Sequence, residues 1–337
     1  MASRTTETAA TPLDTARARP RFRNAWLIAN PTAGGVYGRR QLDEAIALLR
    51  ARLPLEQIRW TAKRGDAENW AREAVQQEID LVVASGGDGT VNEVANGLAR
   101  SPVVLGILPS GTVNVVAIEL DIPLHAVQAA EALLSGKIER LHLGHAEFAA
   151  LPAPDAASGA GAPIGRHFFF AAGFGFDAYV CFRVNMGLKR LTRKGAYIVK
   201  GLQHFVRYRA PRLHVSLDGA PERLCSLAVF ANTRAYAGRF WLAPAGSLVK
   251  PELDACLFLR PGRWNLLRYA LGIMCGRHTK MPDVQCLGMQ EARVRSEQPV
   301  YLQIDGDPLG TTPARLRIER DALSVLTPQH WPGAAPK

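Results

Sequence analysis

Cysteine is scarce in this sequence. Its five thiols (Cys181, Cys225, Cys256, Cys275 and Cys286) form no CxxC pair and no cysteine–histidine spacing of the metal-binding kind. Neither a disulfide framework nor a zinc site is indicated, and a reducing cytoplasm fits best. Long apolar runs are also missing: the longest uncharged stretch, residues 101–118, is interrupted by two prolines and two glycines and would span a membrane poorly. Residues 1–23 mix Ala, Thr, Pro and Arg without an apolar core segment, which excludes a secretory signal and reads as a disordered basic leader. Acidic charge falls short. Lys and Arg number 41 against 30 Asp and Glu, a net +11 that points to an anionic partner: nucleic acid, nucleotide phosphate or an acidic membrane. No repeat of fixed period is present.

With 337 residues, 47% of them apolar, the chain exceeds what one core usually holds, so two domains are expected. Short aliphatic runs at residues 26–29, 57–60, 81–84 and 103–108 alternate with amphipathic runs at 40–52, 66–77, 91–99 and 113–120. This rhythm predicts right-handed βαβ units, hence an α/β domain with a parallel sheet over residues 24–140. A further helical run, 124–134, ends at Ser135-Gly136. From about residue 141 the pattern turns to strands, at 168–172, 213–217, 224–231, 255–259, 291–295, 300–304, 315–318 and 323–326. A β-rich second domain over 141–327 is expected, its final strands free to return to the first, with a tail over 328–337. Residues 149–165, almost wholly Ala, Pro, Gly and Ser, read as a flexible insertion.

Between Arg183 and Arg212 stand nine basic residues and no acidic one. Leu188, Leu191, Ile198, Leu202 and Phe205 recur among them at helical spacing. The plain reading is a solvated helix packed on its apolar stripe; the sharper one is a basic helix, residues 188–209, that docks on anionic lipid. Because this charge gathers on one apolar-faced helix without any accompanying RNA- or DNA-binding motif, nucleic acid is not the expected partner.

The phosphate-binding candidate is Ser85-Gly86-Gly87-Asp88-Gly89-Thr90-Val91-Asn92-Glu93, which follows a strand and opens a helix. Three glycines within four positions let phosphate oxygens approach backbone N–H groups, and the helix N-terminus adds its positive end. Thr90 and Glu93 have the spacing of a capping box, which predicts where the helix starts. Asp88 among phosphate-directed amides calls for a cation or a hydroxyl proton between them, with Mg²⁺ the natural mediator, which makes Asp88 a candidate catalytic residue at Mg²⁺ or at the acceptor hydroxyl. No GxxxxGK[ST] loop, no full GxGxxG and no HRD or DFG kinase signature is present. Three further segments, residues 30–35, Thr61 and residues 109–114, also fall at strand ends, where ligands of open parallel sheets sit.

These residues resemble the bacterial soluble lipid kinases, which share a catalytic domain with diacylglycerol, sphingosine and ceramide kinases. The likeness rests on Asn30-Pro31 with Gly34-Gly35, on Thr61 with Gly65-Asp66-Ala67, on Gly86 to Glu93 with Asn96-Gly97-Leu98, and on Pro109 to Asn114. It continues in Ala172-Gly173-Phe174-Gly175-Phe176-Asp177, Ala243-Pro244 and Asp305-Gly306-Asp307. The resemblance implies an α/β nucleotide-binding domain, a β-sandwich-like second domain and a site in the cleft between them. It also implies that Asn30, Thr61, Gly86, Gly87, Asp88, Gly89, Thr90, Val91, Asn92, Gly111 and Thr112 contact ATP, with Asp88 a candidate ligand of its Mg²⁺.

Asp307 stands where the family carries a glutamate proton acceptor, one methylene longer, and Asp305-Gly306 equally reads as a hairpin turn. Lys250-Pro251 replaces an Asp-Gly pair that helps hold the family's structural metal, which puts that metal in question. Arg239 faces two readings, phosphate contact or surface. Phe168, Phe169, Phe170, Phe174 and Phe176 read first as core and second as an acyl-chain path. The expected activity is ATP- and Mg²⁺-dependent phosphorylation of a lipid hydroxyl such as that of diacylglycerol, by a cytoplasmic enzyme held at the inner face of the membrane. Ceramide or sphingoid-base kinase, NAD kinase, and a nucleotide- and membrane-binding regulator with little catalysis are the alternatives; oligomeric state is left open.

Overall fold

The computed structural model describes residues 22–151, 163–187, 208, 210–236 and 240–333. Strands β1 (Ala25–Ala29), β2 (Leu55–Trp60), β3 (Leu81–Gly86) and β4 (Val104–Pro109) run parallel in the order β2-β1-β3-β4. Every residue of β1, β3 and β4 is buried, so both faces of this sheet must be covered. Helices α1 (Gly35–Arg52), α2 (Asp66–Gln76), α3 (Asp88–Leu98), α4 (Val115–Glu119) and α5 (Ala126–Ser135) supply that cover, through residues such as Leu42, Ala71, Val94 and Ala130. The α/β half is therefore as the hydrophobic periodicity predicts, with ends displaced by a few residues.

The second half is mostly antiparallel. It comprises β5 (Lys137–Ala150), β6 (Pro163–Phe168), β7 (Ala171–Phe174), α6 (Phe176–Gly187), β8 (Leu213–Leu217), β9 (Arg223–Cys225), β10 (Leu227–Ala231), β11 (Ala235–Tyr236) and β12 (Phe240–Trp241). It continues through β13 (Leu253–Phe258), α7 (Arg263–Met274), a 3-10 turn (His278–Lys280), β14 (Val284–Met289), β15 (Glu291–Ser296), β16 (Tyr301–Ile304) and β17 (Asp307–Thr327). One path of hydrogen-bonded strands, β14-β13-β10-β7-β16-β17-β4-β3-β1-β2, crosses the molecule. The join is β17. It pairs antiparallel with β16, β15 and β5, and at its far end Ser324 and Val325 pair parallel with Val104 and Leu105 of β4.

Several expectations need correction. The two strands expected at 315–318 and 323–326 are parts of the single β17, because the long partner β5 pairs with the chain on both sides of an irregularity between Glu319 and Leu323. The insertion expected over 149–165 is shorter at both ends: Ala149 pairs with Pro163 across β5 and β6. The leader does not extend to residue 23, since Phe22 is buried and Arg23 donates to Asp80. Trp331, in the expected tail, is buried and donates its indole N–H to Glu119 O at 3.0 Å. The basic helix expected over 188–209 lies outside the described residues except at Tyr208, as do residues 237–239. Phe168, Phe169 and Phe174 are fully buried core residues, which leaves no acyl-chain path along them.

Candidate functional site

The loops that leave the parallel strands are stitched edge to edge. Thr61 N donates to Ala29 O at 2.9 Å, Asn30 N to Ser85 O at 2.8 Å, and Ser110 N to Gly86 O at 3.0 Å. The four segments read from the sequence thus share one rim. Asn30 braces its own loop by accepting from Thr32 N at 3.0 Å and Thr32 Oγ1 at 2.8 Å.

Glycine at the rim has two different uses. A Cβ on Gly111 would fall 2.5 Å from Gly87 Cα, so the loops after β3 and β4 touch backbone to backbone. A Cβ on Gly89 would meet nothing within 4 Å, and Gly89 and Thr112 are exposed; here the rim opens outward. Gly86 is needed for packing, since its Cβ would strike the Thr90 side chain at 2.5 Å. Asn114, with φ 55, clasps Gly111 by accepting from its N–H at 2.8 Å and donating to its carbonyl at 2.9 Å.

The capping box expected at Thr90 and Glu93 does not form. Gly87 is the N-cap without any side-chain bond, and α3 begins at Asp88 with Val91 N donating to Gly87 O at 3.1 Å. The extended backbone of Gly87 starts the helix earlier than a Thr90 cap would allow. Asp88 Oδ1 accepts from Val116 N at 3.1 Å, tying α3 to α4. Val91 is buried by its side chain and offers the rim only backbone. The buried hydroxyls of Ser85 and Ser110 have no partner among the described residues.

Opposite the rim lies the hairpin of β16 and β17. Asp305 and Gly306 have φ 49 and 86, the double left-handed turn of a tight hairpin, and Ile304 pairs with Asp307 across it. The hairpin reading of Asp305-Gly306 is therefore correct, and the turn presents Asp307. Asp307 Oδ2 accepts from Arg64 Nη2 at 2.8 Å, across 243 residues of sequence. Arg64 sits on the loop after β2, whose shape is set by Asp66 Oδ2 accepting from Ala62 N and Lys63 N at 2.9 Å each. Behind the turn, Gln303 accepts from Gly306 N at 2.7 Å and donates to Asp177 Oδ2 at 3.1 Å. Gly173 makes room, since its Cβ would lie 2.1 Å from that Asp177 oxygen.

Asp305 is the hinge between the halves. Its carboxylate accepts from Phe169 N and Phe170 N at 2.9 Å, Ala171 N at 3.1 Å and Asn92 Nδ2 at 2.7 Å. Burial pushes its carboxyl up to about 6, against these bonds, which pull the other way. Asn92 is committed to this network, with Oδ1 accepting from Asn96 Nδ2 at 3.0 Å and Arg166 Nη2 at 3.3 Å. Arg166 in turn pairs with Glu68 of α2. The sequence pattern gives Arg64 and Gln303 no role, and Asp305 only that of a hairpin residue.

At the other doubtful position, Lys250 Nζ lies 2.6 Å from Glu252 Oε1 and 3.3 Å from Asp254 Oδ1. An ammonium stands between two carboxylates, so no room for a structural cation is indicated there.

The diacylglycerol kinase catalytic domain family matches residues 24–146, and the YegS C-terminal NAD kinase beta sandwich-like domain family matches residues 171–327. A diacylglycerol kinase of Staphylococcus aureus is 28% identical over 310 residues, covering 91% of this chain and 93% of its own. That of Staphylococcus saprophyticus is 26% identical over 309 residues, covering 91% and 96%. Among crystal structures, a diacylglycerol kinase from Bacillus anthracis has the same fold, with TM-score 0.66 at 19% identity over 91% of this chain and 97% of that one. A further structure from the same organism reaches TM-score 0.70 at 21% identity, over 91% and 98%.

Proposed function

The chain belongs to the bacterial lipid kinases built on the diacylglycerol kinase catalytic domain, and on that premise we propose that it moves the γ-phosphoryl group of ATP to the hydroxyl of diacylglycerol. That it is a kinase acting on an alcohol group follows from its family. The observation that carries the finer reading is the 2.8 Å bond between Arg64 and Asp307, which brings a carboxylate from the second half to the mouth of the glycine rim.

Phosphoryl transfer asks a protein mainly to position the reactants and to stabilise charge. The outward-facing backbone of Gly87, Gly89, Thr90, Val91, Gly111 and Thr112 cradles the phosphates, with Asn30 and Thr61 closing the rim. Gly86 supports the cradle through its packing on Thr90. Asn92 acts at one remove, through Asp305. The donor present fits Mg²⁺: Asp88 Oδ1 accepts from Val116 N, and its Oδ2 would hold a hard cation beside the phosphates. When bound, the ion neutralises charge on the transferring group. Asp307 accepts the proton of the attacking hydroxyl, and Arg64 fixes its direction. The enzyme works at a membrane surface, where its substrate lies. No helix among the described residues is long and apolar enough to cross a membrane.

The test is mass spectrometry of a total lipid extract incubated with the protein, ATP and Mg²⁺, beside a parallel incubation with NAD. Phosphatidic acid is the expected product. A phosphorylated ceramide or sphingoid base would move the acceptor to another lipid, and NADP formation without lipid product would overturn the reading.

A further inference from the structure

Helix α7 covers one face of the second half with only part of its own surface. Tyr269 and Gly272 are buried, Leu266 and Ile273 pack beside Leu242 and Phe258, and Tyr269 Oη donates to Asp283 Oδ2 at 2.6 Å. This side of the helix is accounted for. Trp264, Leu267, Leu271 and Met274 are not: they are 75%, 41%, 53% and 61% exposed. At about 100° per residue the four fall within an arc of roughly 80°, so they form one apolar stripe directed at solvent.

The charge around this stripe has one sign. From Arg260 to Pro282 the sequence holds five cationic residues, Arg260, Arg263, Arg268, Arg277 and Lys280, and no acidic one. Asp283 engages Arg260 and Arg268. Arg263, Arg277 and Lys280 are exposed and form no ion pair among the described residues. A tryptophan and long aliphatic side chains on one face, rimmed by cations, make the pattern of a helix that lies in a membrane interface.

We infer that α7 is a docking surface for an anionic lipid bilayer, with Trp264, Leu267, Leu271 and Met274 entering the headgroup boundary and Arg263, Arg277 and Lys280 meeting anionic headgroups. A second copy of the chain is the competing occupant. Two-fold pairing of α7 with itself would set these cations against their own images with no carboxylate between them, whereas an anionic leaflet supplies the missing sign. The inference rests on the lipid-kinase reading only in taking the acceptor to be a membrane component. It draws on no residue of the basic segment 188–209.

The experiment is flotation of the full chain with vesicles of phosphatidylcholine alone or with 30 mol% phosphatidylglycerol (about one lipid in three, enough for a negative surface), without ATP. Activity on a short-chain, water-soluble diacylglycerol is read in parallel. The wild type is expected to float with anionic vesicles only. Trp264→Ala with Leu271→Ser is expected to weaken that binding at least about tenfold, and Arg263→Glu with Lys280→Glu to abolish the preference for anionic lipid. Exposed as these residues are, circular dichroism and short-chain activity should match the wild type. Unaltered flotation of both variants overturns the inference. So does a wild type that fails to float, or one that dimerises through this face while the Trp264 variant is monomeric. Normal flotation with no lipid phosphorylation by any form supports the docking surface and counts against the kinase reading alone.

Discussion

Asn92 and Asp305 lie 213 residues apart in sequence and meet at 2.7 Å, amide donating to carboxylate. This contact joins the helix that opens at the glycine rim to the turn that presents Asp307. The turn is fixed to its own half by the three backbone N–H groups that share the same carboxylate, and to the rim's half by Asn92, with the Arg64–Asp307 and Arg166–Glu68 pairs alongside.

Replacing Asn92 by Asp would set two carboxylates together where a donor is required. Loss of a hydrogen bond to a charged group costs about 1.5–3 kcal/mol, so Asn92→Ala should lower the free energy of urea unfolding by that amount and Asn92→Asp by more. Because Asp307 follows the turn, kcat should fall in both variants by a larger factor than KM for ATP rises. Unchanged kcat in a destabilised variant would show that the turn does not depend on Asn92.

The two rim glycines should respond differently to alanine. Gly111→Ala puts a methyl group 2.5 Å from Gly87 Cα, a backbone atom that cannot step aside, and overpacking of this kind costs about 1–3 kcal/mol. Gly89→Ala meets nothing in the protein. It should keep the wild-type unfolding midpoint and raise KM for ATP about tenfold or more, because the methyl group enters the space assigned to phosphate. Thermal unfolding and steady-state kinetics on both variants check the pair.

The Arg64–Asp307 ion pair is exposed, at 59% and 44% of the two side chains, and exposed pairs contribute little to stability. Arg64→Ala should therefore leave the unfolding midpoint unchanged and lower kcat about 10- to 100-fold, the scale on which misdirecting a catalytic group acts. Asp307→Glu, which keeps a carboxylate on a longer arm, should retain far more activity than Asp307→Asn.

A second link between strands is acid-sensitive. His167 Nε2 and Glu319 Oε2 are 2.7 Å apart, and hydrogen bonding to His167, with help from Arg317, holds the Glu319 carboxyl down at about 2 despite burial. Burial, followed by the neighbouring His167, pushes His145 down to about 4. Both groups have folded-state values below the unfolded ones, so each contributes stability that is present at high pH. His145 gives up its contribution as pH falls from 6.5 to about 4, and Glu319 as pH falls from 4.5 to about 2. In urea unfolding against pH, His145→Gln should flatten the upper window and Glu319→Gln the lower.

The parallel half was legible because β1, β3 and β4 are short aliphatic runs separated by helices of clear period. Asp305-Gly306 announced its turn for the same local reason. Strand β5 escaped notice because Lys137, Glu139 and Arg140 blur its start, and α7 because its outward face is as apolar as its inward one. The start of α3 was misplaced because Thr90 and Glu93 have capping spacing while the glycine before them takes the cap. Arg64 with Asp307, and Asn92 with Asp305, are joined only by the closing of the sheet through β17. No local pattern encodes contacts over 243 and 213 residues.

The most direct test of the account is single-turnover transfer of label from γ-labelled ATP to diacylglycerol in mixed vesicles, by the wild type and by Asp307→Asn, with ATP binding measured on both. The account predicts labelled phosphatidic acid from the wild type and transfer about 10²- to 10⁴-fold slower in the variant at unchanged ATP affinity. Equal transfer by the two proteins, or no labelled lipid from the wild type, would contradict it.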